Sequence, residues 1–255
     1  MSKNIKTNWD YTTLAQYYDL RADYSKKLIA NILNKIKCKE NYSVADIGAG
    51  TAKLTKLLCE NNLIVSAVEP NQKMRFYGER NTKKFTNLNW SSGTGEETTL
   101  KSNSIYCMFF GSSFNTLDYK KALGEIKRVL IKKGFICLMW NHRNFKNIHQ
   151  KKIEKIIKSY LPTYNYGDRR YDYKKILKKE KLLSNVQKIT ESFSIKIKKK
   201  DFIKAWKSHG TLRRNCRNSN QFNQIILSIS TYVNSIKFDY VNVPYDNIAY
   251  IARLK

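Results

Sequence analysis

The sequence predicts an α/β fold, a doubly wound and mostly parallel sheet with helices on both faces. Short apolar runs alternate along the first 143 residues with segments whose apolar side chains recur at helical spacing, which is the pattern of βαβ crossovers. A Gly-Ala-Gly turn at 48–50 follows the first apolar run, as in nucleotide-binding folds, where a strand passes into a helix. Five strands are therefore expected, at residues 43–47, 63–70, 88–92, 104–111 and 135–140.

Helices are expected in the connections between these strands. Leu54, Leu57 and Leu58 share one face of residues 52–60, which is the spacing of an amphipathic helix. The same spacing recurs in 119–134, where Gly134 is expected to end the helix. Residues 71–80 are expected to form a further helix.

Beyond residue 143 the regular alternation stops. Residues 145–183 are rich in lysine and have a helical pattern, with a break at LPTYNYGD. We interpret this segment as an insertion over the carboxyl edge of the sheet. A weak strand at 189–198, helices at 200–208 and 221–236, and a last strand at 247–254 are expected to follow.

The composition favours a globular protein with a large surplus of positive charge. The 255 residues carry a formal charge of +28, and 42% of them are hydrophobic, enough to bury a core. The surplus is spread over both halves, with 23 Lys and Arg against 12 Asp and Glu in 1–143 and 25 against 8 in 144–255. A solvated lysine-rich surface explains this pattern better than a dedicated nucleic-acid surface, although both interpretations remain open.

The predicted location is the cytoplasm. The first residues lack the apolar core of a secretory signal, and no apolar run approaches the roughly 20 residues that cross a bilayer. The five cysteines show no C-x-x-C spacing, so neither disulfides nor a metal site is expected. The sequence leaves the oligomeric state open.

Two carboxylates flank the glycine turn and decide its chemistry. Asp46 lies two positions before Gly48, and Glu69 lies 21 positions after it, close to the spacing at which an acidic residue reaches ribose hydroxyls in such folds. A pyrophosphate would be repelled by Asp46, and Lys53 stands where a dinucleotide site has a third glycine or alanine. The turn therefore favours a nucleoside that bears a cation, and S-adenosylmethionine fits that description.

Five segments in order strengthen this interpretation: DIGAGTAKLT, VEPNQKM, SSGTGEETTL, SSFNTLD and EIKRVLIKKGFICLMWN. Together they resemble the successive motifs of the class I, Rossmann-like S-adenosylmethionine-dependent methyltransferases, most closely the small-molecule group. The resemblance covers about residues 10–143 and implies a seven-stranded sheet with a helical insertion after the fifth strand. The predicted cofactor is S-adenosylmethionine, with the cofactor site formed by Arg21, Asp46, Gly48, Ala49, Gly50, Thr51, Glu69, Pro70, Asn71, Met74, Thr94, Gly95, Glu96 and Gly111.

Candidates for the acceptor side follow from position alone. His142 follows the fifth strand at the carboxyl edge, where ligands bind in open α/β sheets, and it is a candidate base. Tyr17 lies in YYDLRADYS, which resembles a lead-in that closes over the cofactor, and it is a second catalytic candidate. The expected contacts to the acceptor are Ser113, Asn115, Asn141 and Arg213.

The resemblance implies an enzyme that methylates an O, N or C atom of a small molecule. An RNA methyltransferase that uses the basic surface is the alternative, and a non-catalytic S-adenosylmethionine-binding protein is the second alternative. The predicted parts are an N-terminal lid helix with the cofactor-binding core (1–143), a helical lid (144–186), and strands and helices that complete the sheet and the acceptor pocket (187–255).

Overall fold

A seven-stranded sheet organises the fold in the computed structural model, which describes residues 11–255. The order of the strands across the sheet is β3-β2-β1-β4-β5-β7-β6. The strands span β1 (Ser43–Ile47), β2 (Ile64–Val68), β3 (Leu88–Ser91), β4 (Ile105–Gly111), β5 (Leu130–Arg143), β6 (Leu183–Lys198) and β7 (Tyr240–Leu254).

The sheet is mixed, because its last two strands are antiparallel to their neighbours. β1 to β5 pair in parallel, whereas β7 runs antiparallel to both β5 and β6. The predicted α/β, doubly wound sheet is confirmed, with parallel pairing limited to its first five strands. The expected strands at 189–198 and 247–254 are parts of longer strands, because β6 and β7 pair along almost their whole lengths.

Ten α-helices of the described residues surround this sheet. α2 begins with a side-chain cap, in which Ser25 Oγ accepts a hydrogen bond from the amide of Leu28, a common way to satisfy a free helical N–H. The helices are α1 (Ala15–Tyr18), α2 (Lys26–Lys35), α3 (Lys53–Glu60), α4 (Gln72–Thr82), α5 (Tyr119–Val129), α6 (Ile148–Tyr160), α7 (Tyr173–Lys178), α8 (Lys199–Lys207), α9 (Gly210–Asn215) and α10 (Ser219–Ser235).

Both faces of the sheet are covered, because successive side chains of a strand point to opposite faces. Ala45 and Ile47 of β1 belong to a buried cluster with α5 and α7. Val44 belongs to a second buried cluster with α2 and α3. The connections after β1 and β4 therefore lie on opposite faces, which defines the point between these strands where ligands bind in doubly wound folds.

The C-terminal helices have a hydrophobic core of their own. Ile153 and Ile157 of α6 pack with Phe202 and Trp206 of α8 and with the apolar face of α10. The start of β7, at 241–245, closes this cluster. α6 therefore packs with the C-terminal third of the chain, although its sequence lies in the predicted lid insertion. The proposed division into three parts stays a prediction, and its residues 1–10 lie outside the described residues.

The expected helix stop at Gly134 is wrong. α5 ends at Val129, and Leu130 already pairs with Ile105 as part of β5. Gly134 lies within β5, where a side chain would place its Cβ 2.9 Å from the carbonyl oxygen of Ile131. The glycine therefore permits close backbone packing beside an irregularity in the pairing of β4 and β5.

Glu125 of α5 forms a buried polar anchor that makes stability depend on pH. Its carboxylate accepts hydrogen bonds from the amide and hydroxyl of Thr98 and from the guanidinium of Arg128. Burial alone would raise the pKa of Glu125. The hydrogen bonds from Arg128 and Thr98 outweigh this effect and lower the pKa to about 2.

We expect Glu125→Gln to lower the free energy of unfolding at pH 7 by about 1.5–3 kcal/mol, the range for hydrogen bonds to charged groups. The stabilisation by Glu125 is present above its unfolded pKa and disappears as the pH falls from about 4.5 to 2. Urea unfolding at pH 7 and pH 3 would measure both values. A difference from wild type that is as large at pH 3 as at pH 7 would contradict this account.

Candidate active site

The ends of β1, β2 and β4 meet at one edge of the sheet and form the candidate site. β1 lies between β2 and β4 in the sheet, so the loops that follow these strands converge. The loop after β1 carries the glycine turn, and Gly48 and Gly50 both adopt positive φ angles, of 70° and 58°. That conformation favours glycine and brings the backbone close to a ligand.

A cavity of about 730 Å³ lies in front of this turn; we call it the turn cavity. Its volume falls within the range that binds small molecules and cofactors. Ten residues that the sequence predicts for the cofactor line this cavity: Gly48, Gly50, Glu69, Pro70, Asn71, Met74, Thr94, Gly95, Glu96 and Gly111.

Glu69 holds the glycine turn in place. One oxygen of its carboxylate accepts a hydrogen bond from the amide of Gly50 at 2.8 Å, and the other accepts one from the amide of Asn71 at 2.9 Å. Burial raises the pKa of Glu69 to about 6, against the opposing effect of these two hydrogen bonds. Glu69 therefore shapes the turn and still presents oxygen lone pairs to the cavity that it lines.

Asp46 is a buried carboxylate with one unpartnered oxygen. It is 1% exposed, and its Oδ2 accepts a hydrogen bond from the hydroxyl of Thr55 at 2.7 Å. Its Oδ1 has no hydrogen-bond partner among the described residues. Burial raises the pKa of Asp46 to about 7, and the charge of Glu69 adds to the effect. A buried acceptor without a hydrogen-bond partner destabilises the folded protein unless a ligand donates a hydrogen bond to it.

A second, smaller cavity of about 70 Å³ adjoins the first; we call it the arginine cavity. Gly48, Gly50, Gly111, Ser112 and Tyr18 line both cavities, so the two spaces share a wall at the end of β4. The other residues that define it include Arg21, Asp46, Asn141, Arg143, Tyr166, Arg169, Arg170, His209 and Tyr245.

Three further predicted cofactor residues have different positions. Ala49 and Arg21 line the arginine cavity, where Arg21 lies over the ring of Tyr18, 4.8 Å from its centroid. Thr51 lines neither cavity. Its side chain is fully buried, and its carbonyl oxygen accepts a hydrogen bond from Asn81. Thr51 thus helps to hold the loop after β1 in place without lining either cavity.

Neither predicted catalytic residue faces the cavities. His142 alternates along β5 with Asn141 and Arg143, which both line the arginine cavity, and it points to the other face of the sheet. The ring of His142 lies 2.9 Å from the carbonyl oxygen of Arg169, and burial followed by repulsion from Arg169 lowers its pKa to about 3. Tyr17 contacts Lys207 on the outer side of α1, and its neighbour Tyr18 occupies the site instead.

The predicted acceptor contacts divide into three near the site and one far from it. Ser113 lines the turn cavity, with its hydroxyl bonded to the carbonyl of Ile47. Asn141 lines the arginine cavity, and Asn115 lines a small space beside it while accepting a hydrogen bond from the indole of Trp140. Arg213 donates to Ser219 and stacks on Phe222 in the C-terminal helices, away from both cavities. Arg213 therefore lies outside the candidate site, and its role in binding the acceptor stays a prediction.

The structure adds residues that the sequence did not single out. Ser112 has a φ of 62° at the shared wall, a strained conformation for a serine that occurs often at functional sites. Tyr18, Arg143 and Arg169 come from three separate segments and meet, together with His209, at the arginine cavity. Only contacts between distant segments reveal this set, because no local motif joins them.

Two general findings on residues 11–255 bear on partners. Among these residues no helix combines the length and apolar character that a membrane span requires. In the same range no group of three or more His, Cys, Asp or Glu side chains is arranged to hold a metal ion.

The strand order, the glycine turn and the two carboxylates define a class I, Rossmann-like methyltransferase fold. Comparison with known proteins agrees: residues 45–138 match the family described as a methyltransferase domain. The chain is 28% identical over 134 residues, 52% of each chain, to an uncharacterized methyltransferase of Schizosaccharomyces pombe. It is 36% identical over 101 residues, 40% of each chain, to an uncharacterized methyltransferase of Mycobacterium bovis. The matches thus span about half of these relatives or less.

Solved structures share the fold at low sequence identity. The YcgJ protein of Bacillus subtilis superimposes with a TM-score of 0.55 at 14% identity, covering 91% of this chain and 99% of that one. Phosphoethanolamine N-methyltransferase 2 of Haemonchus contortus, crystallised with S-adenosylhomocysteine, gives a TM-score of 0.54 at 14% identity, over 96% of this chain and 57% of that one. Residues 45–138 therefore carry a methyltransferase domain, and residues 11–255 adopt the class I, Rossmann-like methyltransferase fold. The predicted class and its cofactor are confirmed.

Proposed function

We propose that this protein transfers the methyl group of S-adenosylmethionine to a small-molecule acceptor. The observation that carries the proposal is the shared wall between the two cavities, at Gly111 and Ser112, where the larger space suits the cofactor and the smaller one an acceptor. The nucleoside part of the cofactor would lie in the turn cavity and its amino-acid end at the shared wall, beside Asp46 and Arg21 of the arginine cavity. An acceptor held by the other residues of the arginine cavity would meet the methyl group there.

The residues present fit the cofactor. The unpartnered oxygen of Asp46 is a ready acceptor for the ammonium group, and a charge-assisted hydrogen bond there would offset the cost of its burial. Glu69 follows β2 at the position that reaches ribose hydroxyls in this fold, and Met74 offers an apolar contact within the same cavity. Arg21 supplies a positive charge for the carboxylate end.

The role of the protein in transfer is alignment and the exclusion of water. When bound, the cofactor supplies a methyl group that its sulfonium already makes reactive, so holding acceptor and methyl in line supplies much of the rate. Tyr18 and Tyr166 line the arginine cavity, where their rings would help to exclude water from a bound acceptor. His209 is buried, and burial followed by repulsion from Arg143 holds its pKa well below the usual range. It stays neutral at pH 7 and has Nδ1 engaged by the amide of Leu212.

We expect Glu69→Gln to weaken the binding of S-adenosylhomocysteine about tenfold to a hundredfold. The change removes the charge that strengthens hydrogen bonds both to the ribose and to the glycine turn. Isothermal titration calorimetry would measure the dissociation constant, with Glu97→Gln as the control, since the side chain of Glu97 lines neither cavity. Equal affinities for Glu69→Gln and wild type would remove Glu69 from the cofactor site.

One assay separates the small-molecule function from its alternatives. Tritiated S-adenosylmethionine is incubated with the protein and with either a small-metabolite extract or total RNA. Label that appears in the metabolite fraction and resists ribonuclease supports the proposal. Label that ribonuclease releases supports the RNA methyltransferase, which the charge of +28 favours. Cofactor binding without transfer to either pool supports a non-catalytic binding protein.

A further inference from the structure

The arginine cavity carries an unusual surplus of positive charge for so small a space. Four arginines line it: Arg21, Arg143, Arg169 and Arg170. Arg21 follows α1, Arg143 is the last residue of β5, and Arg169 and Arg170 lie between α6 and α7. None of these four arginines forms an ion pair with a carboxylate in residues 11–255. The guanidinium groups are instead held by carbonyl oxygens and aromatic rings.

Arg143 and Arg169 are held in place but remain incompletely bonded. Arg143 stacks over the indole of Trp206, 3.8 Å from the ring centroid, and its Nη1 is buried without a hydrogen-bond partner. Arg169 donates a hydrogen bond to the carbonyl oxygen of Asn141 at 3.2 Å. A guanidinium has five N–H donors in a rigid fork, so both side chains keep donors available to the cavity.

The carboxylates near this cavity do not neutralise these arginines. Asp46 lines the cavity, but its unpartnered oxygen fits the ammonium group of the cofactor. Asp246 accepts hydrogen bonds from Ser192 and Asn144 and does not line the cavity. Burial and repulsion from Arg21 lower the pKa of Arg169 to about 10, as expected when like charges crowd together. An anionic ligand would relieve this repulsion.

We propose that the methyl acceptor is a small carboxylic acid whose carboxylate is bound by Arg143 and Arg169, with Arg170 at the rim. This inference rests on the proposed methyl-transfer function and names the class of its substrate. The forked guanidinium matches the planar carboxylate. The arginine cavity shares a wall with the turn cavity, so a carboxylate bound by these arginines leaves the rest of the acid to extend toward the cofactor.

Calorimetric titration of succinate and citrate into the protein saturated with S-adenosylhomocysteine tests the inference. We expect saturable binding to the wild type, weakened about tenfold or more in Arg169→Gln and in Arg143→Gln. The control is Arg217→Gln, because Arg217 is exposed and lines neither cavity, and it should bind as the wild type does. The affinity of each variant for S-adenosylhomocysteine, measured first, should stay within about threefold of the wild type, which separates loss of the acceptor subsite from loss of the fold.

The remaining outcomes overturn either this inference or the function beneath it. Failure of succinate and citrate to bind the complex, or equal binding by wild type and Arg169→Gln, would overturn the inference alone. Tighter binding of inorganic phosphate than of both carboxylates would also overturn it. Failure of S-adenosylhomocysteine to bind the wild type would overturn the proposed function, and the inference with it.

Discussion

Asp46→Asn is expected to weaken the binding of S-adenosylhomocysteine by about a hundredfold and to stabilise the free protein. The amide keeps the shape of the side chain and a partner for Thr55 but removes the charge that would hold an ammonium group, a loss of up to about 3 kcal/mol. A suitable control ligand is 5′-methylthioadenosine, which lacks the amino-acid part. Its affinity should be the same for both proteins, and a hundredfold loss there as well would show that Asp46 supports the whole loop instead.

The same substitution should raise the melting temperature of the free protein at pH 8 by several degrees. Because burial raises the pKa of Asp46 from 3.8 to about 7, ionisation destabilises the folded state, and the penalty grows as the pH rises from about 4 to 7 and is constant above that. For a chain of this size, 1 kcal/mol corresponds to about 2–4 °C. Melting curves at pH 4 and pH 8 should therefore show a larger advantage for the variant at pH 8, and the opposite trend would contradict the assignment.

Gly48→Ala is expected to abolish measurable cofactor binding and to lower the free energy of unfolding by about 2–6 kcal/mol. Gly48 has a φ of 70°, and an added Cβ would lie 2.5 Å from Cβ of Ser113. Backbone strain at positive φ and overpacking each cost about 1–3 kcal/mol. Calorimetry and urea unfolding would measure the two effects.

Gly124→Ala is the matched control for Gly48→Ala. Gly124 lies within α5, where an added Cβ meets no atom within 4 Å. Alanine is the better helix former by up to about 1 kcal/mol, so this variant should be slightly more stable and should bind the cofactor as the wild type does. Equal destabilisation by both substitutions would show that the glycine turn has no special role.

The cofactor side of the site could be predicted because its signals are local. A strand, a glycine turn and a carboxylate lie within a few residues of one another around Gly48. Glu69 lies 21 positions after Gly48, the spacing that one βαβ unit sets. Once the strands lie in parallel, their carboxyl ends must meet at one edge. Ten predicted residues line the turn cavity, and all of them lie at or after the carboxyl ends of β1, β2, β3 and β4. Their meeting follows from this geometry.

The acceptor side could not be predicted to the same extent because it depends on orientation and on distant contacts. A shift of one residue along β5 moves a side chain to the other face of the sheet, so Arg143 faces the cavity where His142 was expected. On the single turn of α1, likewise, Tyr18 lines the cavity where the neighbouring Tyr17 was expected. Arg169 reaches the site only through the fold of the segment between α6 and α7, which carries no motif.

The most direct test of the central claim is a calorimetric comparison of S-adenosylmethionine and NAD as ligands of the wild-type protein. The claim is that two buried carboxylates beside a glycine turn select an adenosine compound that carries an ammonium group over one that carries a pyrophosphate. We expect one S-adenosylmethionine to bind per chain and no heat of binding from NAD. Saturable binding of NAD, with no binding of S-adenosylmethionine, would contradict the account.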